Sequence, residues 1–192
     1  MKNEIIIPEG VEAEIHQNKL ILKGKEGENS REFNLGNINL EVKDKKIILS
    51  CERETKREKR MINTFVAHIK NMAQGVQKKF EYKLKICSSH FPMTVKIDGN
   101  IAIIKNFIGE KIDRRVELPK NADIKIEKEI ITILSIDKEI GGQAAANLEK
   151  VTKIRGRDRR VFQDGIYIIN KAGREIWKWR KFGIIKIQED FA

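Results

Sequence analysis

The segments NINLEVKDKKIILSC (Asn37–Cys51) and NADIKIEKEIITILS (Asn121–Ser135) are two copies of one pattern, set 84 residues apart. Leu40, Val42, Ile47 and Leu49 of the first fall on Ile124, Ile126, Ile131 and Ile133 of the second. Apolar and polar residues alternate in both, the period of a half-buried strand whose successive side chains face opposite ways. A repeat of this length exceeds the ~20–50 residues of solenoid units and indicates a duplicated domain.

The same pattern extends outward. Val11–His16, Gln17-Asn18 and Lys19–Lys23 predict a hairpin; Thr94–Ile97, Asp98-Gly99 and Asn100–Lys105 predict another. Each copy leads into a helix. The first is predicted over Thr55–Gln74, with an apolar stripe of Met61, Ile62, Phe65, Ile69 and Met72. The second is predicted over Glu139–Lys153, with Ile140, Ala144, Leu148 and Val151 inward, and Gly141-Gly142 and Ala144–Ala146 allowing close approach to a sheet. FEYKLKIC (Phe80–Cys87) follows the first helix as a strand, and VFQDGIYIIN (Val161–Asn170) follows the second. The expected fold is α+β: two duplicated domains, residues 1–79 and 80–173, each a twisted antiparallel sheet with one helix packed on it, then a C-terminal extension over 174–192.

The chain has 192 residues and a net charge of +11, so a polyanionic partner is expected. The charge is uneven. Residues 1–80 hold 16 Lys/Arg and 12 Asp/Glu, residues 81–149 hold 11 of each, and residues 150–192 hold 12 against 5. The excess collects at KIRGRDRRVFQDGIYI (Lys153–Ile168), where Lys153, Arg155, Arg157, Arg159 and Arg160 stand against Asp158. Arginine's planar fork matches phosphate oxygens, and Gly156 permits close backbone approach. An extended loop would put Arg155, Arg157 and Arg159 on one side. Phe162 and Tyr167 either stack on bases or fill the sheet face. Asp164-Gly165 reads as a bend or bulge, with a ribose contact from Asp164 as the other reading. The equivalent loop of the first domain carries only Lys78 and Lys79, so residues 1–80 are expected to add little to RNA affinity.

Lys56, Arg57, Lys59 and Arg60 are mixed with Glu52, Glu54 and Glu58, which reads as a salt-bridged solvated face, with a partner contact as the alternative. His16, His68 and His90 are scattered and read as structural or surface residues; His90-Phe91-Pro92 reads as lying between the two units. Cys51 and Cys87 lack CxxC spacing and read as buried free thiols. Nucleotide-binding and hydrolase signatures are absent, and no catalytic residue, metal site or cofactor is expected. No run of ~18 apolar residues and no signal peptide is apparent, so a soluble cytoplasmic setting without a membrane partner is expected. After Gly173, Ile176, Trp177 and Trp179 read as an extra strand, with Gly183 as a turn and Ile184, Ile185 and Ile187 returning.

SSHFPMTVKIDGN (Ser88–Asn100), the run Ala144–Asn147 and KIRGRDRRVFQDGIYI together resemble the large-subunit ribosomal protein six (L-six) family in its archaeal and eukaryotic form. The likeness spans Met1 to about Gly173. It implies a non-enzymatic constituent of the large ribosomal subunit. It also implies rRNA binding by the second domain near the sarcin–ricin loop, with neighbouring ribosomal proteins as partners and translational GTPases transiently nearby. The implied rRNA-binding residues are Lys153, Arg155, Gly156, Arg157, Arg159, Arg160, Phe162, Gln163, Asp164, Gly165, Tyr167 and Lys171. The rival readings are a subunit of an RNA-processing complex, which needs convergent acids or a metal cluster, and a basic module for an acidic protein, which needs no stackable aromatics.

Overall fold

A computed structural model of the chain describes residues 2–43, 46–51 and 55–176. Trp177 and Trp179 of the expected extra strand, the Gly183 turn and the returning Ile184, Ile185 and Ile187 lie outside the described residues. The first unit runs β1 (Lys2–Ile6), β2 (Glu12–His16), β3 (Lys19–Gly24), β4 (Gly27–Glu32), β5 (Ile38–Lys43), β6 (Lys46–Cys51) and α1 (Lys56–Gln77). The second runs β7 (Phe80–Cys87), β8 (Thr94–Asp98), β9 (Ile101–Lys105), β10 (Arg114–Glu117), β11 (Asp123–Glu127), β12 (Ile130–Ser135), α2 (Lys138–Val151), β13 (Gly165–Lys171) and β14 (Arg174–Glu175). The described pairings are all antiparallel, so the α+β architecture is as expected.

Each unit has two sheets rather than one. The first has β2-β3-β4 and β1-β6-β5; the second has β8-β9-β10 and β11-β12-β7-β13-β14. Pro8 and Pro92, again 84 residues apart, sit between the strands where one sheet gives way to the other. Proline has no N–H for a ladder, so the pairing breaks there. The quoted repeat forms β5-β6 and β11-β12, with Leu40 opposite Leu49 and Ile124 opposite Ile133. In the second hairpin the turn is Gly99-Asn100, one residue beyond the expected Asp98-Gly99, with Gly99 at φ +58°.

β7 pairs with β12 as β1 pairs with β6, so β7 opens the second unit and is the counterpart of β1. β13 adds on the other edge of β7 and has no counterpart among the described strands of the first unit. It begins at Gly165, not Val161, because Val161 belongs to a turn. β14 adds the described start of the C-terminal extension, with Lys171 opposite Arg174.

The helices follow their patterning except at Ile140, which is only half-buried. α1 buries Ile62, Ile69, Met72 and Val76, and Phe65 meets Phe33 edge-on at 5.1 Å. Thr55 and Glu58 form a capping box that fixes its start. α2 buries Ala144, Ala145 and Leu148. A Cβ on Gly141 would lie 2.7 Å from the Tyr82 ring, so glycine is what lets α2 sit on β7. The Tyr82 hydroxyl donates to the Lys138 carbonyl at 2.7 Å, fastening the same contact.

The two cores meet through Ile136, which follows β12 yet packs against the first core. A Cβ on Gly75 of α1 would lie 2.0 Å from the Ile136 carbonyl oxygen. Around this contact, Arg31 and His68 both pair with Glu139, at 2.7 and 3.2 Å, and Lys79 pairs with Asp123 at 2.9 Å.

Candidate rRNA interface

The basic loop leaves α2 at Thr152 and enters β13 at Gly165, and both ends are pinned. Buried Thr152 donates its hydroxyl to the Leu148 carbonyl and accepts from the Ile166 amide at 2.9 Å. Ile154 is buried between exposed Lys153 and Arg155, so alternate side chains anchor and project. The loop is not extended. Gly156 takes φ +70°, and a turn follows in which the Val161 and Phe162 amides donate to the Asp158 carbonyl. The Asp158 carboxylate accepts from the Arg160 amide at 2.9 Å, so the loop's lone acid serves the turn. Space around Gly156 is open, and only its positive φ demands glycine.

Lys153, Arg155, Arg157, Arg159 and Arg160 are all exposed, and none is ion-paired to a described residue. Arg157 lies over the Phe162 ring at 4.9 Å, and His90 lies against the same ring at 4.9 Å. Phe162 thus has Arg157 and His90 as ring neighbours and also packs against the second core. Tyr167 is half-buried, and its hydroxyl donates to the Gln163 carbonyl at 3.1 Å. Burial pushes its phenol up in pKa. Gln163 donates to the Arg160 carbonyl at 3.1 Å, and Lys171 is exposed at the far end of β13.

Asp164 is neither a bend residue alone nor free for a ribose. Its side chain is 3% exposed, and both carboxylate oxygens are in use. One accepts from the amides of Ser89 and His90; the other lies 2.7 Å from the His90 ring nitrogen Nδ1. Burial opposes ionisation, but the His90 amide, the His90 ring and the Ser89 amide outweigh it and hold the carboxyl below its ordinary range. Gly165 is buried beside it. Both residues lie under the loop as its support.

His90 therefore belongs to the second unit, in the loop between β7 and β8, and not to an interdomain linker. Sequence reasoning passed over Ser89 and His90 as site residues. The available signal was the SSHFP run within the family-like segment. Arg114 was also missed: it donates to the Val151 carbonyl at 2.6 Å and lies over Phe107 at 4.2 Å. It satisfies a carbonyl at the end of α2, where a cation is favoured. Of the two thiols, Cys51 is buried and Cys87 half-buried, with burial raising the Cys87 pKa.

The family model for ribosomal protein L6 matches the chain twice, over residues 7–79 and 91–165. The chain belongs to the ribosomal protein L6 family. It is 45% identical over 171 residues to the large ribosomal subunit protein uL6 of Methanobrevibacter smithii, covering 89% of this chain and 96% of that protein. It is 38% identical over 174 residues to uL6 of Methanococcus vannielii, covering 91% of this chain and 96% of that protein. As an L6 protein it is a structural ribosomal component, not an enzyme, and works in the cytoplasm at the ribosome. The double match coincides with the duplication read from Asn37–Cys51 and Asn121–Ser135.

Proposed function

We propose that this L6 protein binds large-subunit rRNA through the loop Lys153–Arg160, framed by β13 and the Ser89-His90 loop. The site lies near the sarcin–ricin loop, beside the docking surface of translational GTPases, with other large-subunit proteins as neighbours. The division of labour follows residues 1–79, 80–173 and 174–192, with the loop's RNA contact in the second part. The observation that carries the reading is five exposed cations within eight residues, unpaired with described carboxylates, on a loop fixed at both ends. Exposed cations left unneutralised suit a phosphate backbone, and a pinned loop loses little entropy on binding it.

The test is rRNA affinity against salt. About five neutralised phosphates give a log–log slope of magnitude ~3.5–4.5. Arg155→Ala, Arg157→Ala, Arg159→Ala and Arg160→Ala should each lower it by roughly one unit. Arginine-to-lysine changes should keep the slope and lose affinity through the lost fork geometry. An unchanged slope across the alanine set would leave these cations merely solvated.

A further inference from the structure

We infer that the solvent face of α1 is a second contact for the rRNA phosphate backbone, separate from the Lys153–Arg160 loop and sharing with that reading only the partner. α1 carries Lys56, Arg57, Lys59, Arg60 and Lys70 against one acid, Glu58. Glu58 serves the start of the helix: one carboxylate oxygen accepts from the Thr55 amide and hydroxyl, and its amide donates to the Thr55 hydroxyl oxygen. None of the five cations is ion-paired to a described residue, and Arg60 donates instead to the Lys56 carbonyl. Glu52 and Glu54, the other acids of the expected salt-bridged face, lie outside the described residues.

Lys56, Lys59, Arg60 and Asn63 line one shallow groove. The exposed stripe continues through Ala67 to Lys70, fourteen positions on from Lys56 and about 21 Å along the axis. Lys56 stands three and four residues from Lys59 and Arg60, the spacings at which like charges repel on a helix. Such a cluster weakens the free helix and is relieved by an anion. The positive end of the helix dipole adds to the same field.

An acidic protein is the weaker match. Protein interfaces centre on aromatic or large apolar anchors, and this stripe exposes none, Ala67 being its largest apolar residue. Phosphate contacts require only cations and small polar groups such as Asn63. With this contact residues 1–80 add to RNA affinity, contrary to the expectation from the loop at Lys78-Lys79 alone.

The test uses the purified full-length chain and protein-free large-subunit rRNA, so no neighbouring protein contributes. The combined Lys56→Ala, Lys59→Ala, Arg60→Ala variant should lower the salt slope by about 2–2.7, three times the ~0.7–0.9 per phosphate. In the wild-type chain, rRNA should protect Lys56, Lys59 and Lys70 from acetylation, a readout that needs no variant to fold. An unchanged slope or unprotected lysines overturns the inference. The loop variant with Arg155, Arg157, Arg159 and Arg160 all changed to alanine is measured in parallel. If its slope falls while that of the α1 variant does not, the α1 contact fails and the loop reading stands. If only the α1 variant responds, the loop reading fails and the α1 contact stands.

Discussion

Replacing Asp164 with alanine removes a carboxylate that is 3% exposed and strands three donors: the Ser89 and His90 amides and the His90 ring nitrogen. A buried donor left without a partner costs about 1–3 kcal/mol. Ser89 and His90 are exposed residues, the His90 side chain at 35%, so water replaces part of what is lost. The net cost is then about 2–4 kcal/mol. At about 2–4 °C per kcal/mol for a chain of this size, the melting transition of the second unit should fall by roughly 5–15 °C. The carboxyl's pKa is lower folded than unfolded, which fixes the pH dependence. Its stabilisation is whole above the ordinary value of 3.8 and is lost as pH falls through the folded value. The gap between wild type and Asp164→Ala should therefore narrow below about pH 4. The rRNA salt slope should not change, because no cation is removed, while affinity should fall as the loop loses its brace. Circular-dichroism melts from about pH 2 to pH 7, which carry the carboxyl from below its ordinary value to full ionisation, and rRNA titrations at two salt concentrations supply both readouts. A melting temperature within about 1 °C of wild type at neutral pH would refute the clamp.

Gly75→Ala should destabilise the chain by about 1–3 kcal/mol, read by urea denaturation, because its Cβ would meet the Ile136 carbonyl at 2.0 Å and push the units apart. A variant as stable as wild type would show that this contact tolerates a methyl. Thr152→Val should cost about 1–3 kcal/mol by stranding the buried Ile166 amide, seen as faster hydrogen exchange at the start of β13. Phe162→Ala should lower thermal stability by about 1–3 kcal/mol, since the ring is half-buried and packs on the core, and should leave the salt slope unchanged. Loss of rRNA affinity with full stability would instead make Phe162 a base-stacking residue.

The strands were legible because alternation is a local property. Ile124, Ile126, Ile131 and Ile133 need only their chain neighbours to define a buried face, and the 84-residue echo at Leu40–Leu49 identifies the duplication. The cationic loop was legible for a similar reason, since charge density is counted along the chain. The loop's shape was not. Alternation placed Arg155, Arg157 and Arg159 on one side, but the positive φ of Gly156 and the turn closed on Asp158 override an extended path. Val161 and Phe162 look strand-like, yet their amides are taken by Asp158. Local hydrogen bonding overrode propensity.

By itself, then, the sequence determined two α+β units, the helices with their buried stripes, and where positive charge gathers. These follow from short-range sterics, side-chain periodicity and composition. Only the tertiary structure decided what each polar group faces. Asp164 and His90 are 74 residues apart, and their pairing exists because β13 lies beside β7 in the same sheet. Ile136 meets Gly75 only once α1 lies against the second unit. Glu58 accepts from the Thr55 amide and hydroxyl only when the helix cap forms. Partners at such separations are chosen by the packing of whole sheets and helices, which no window of sequence contains.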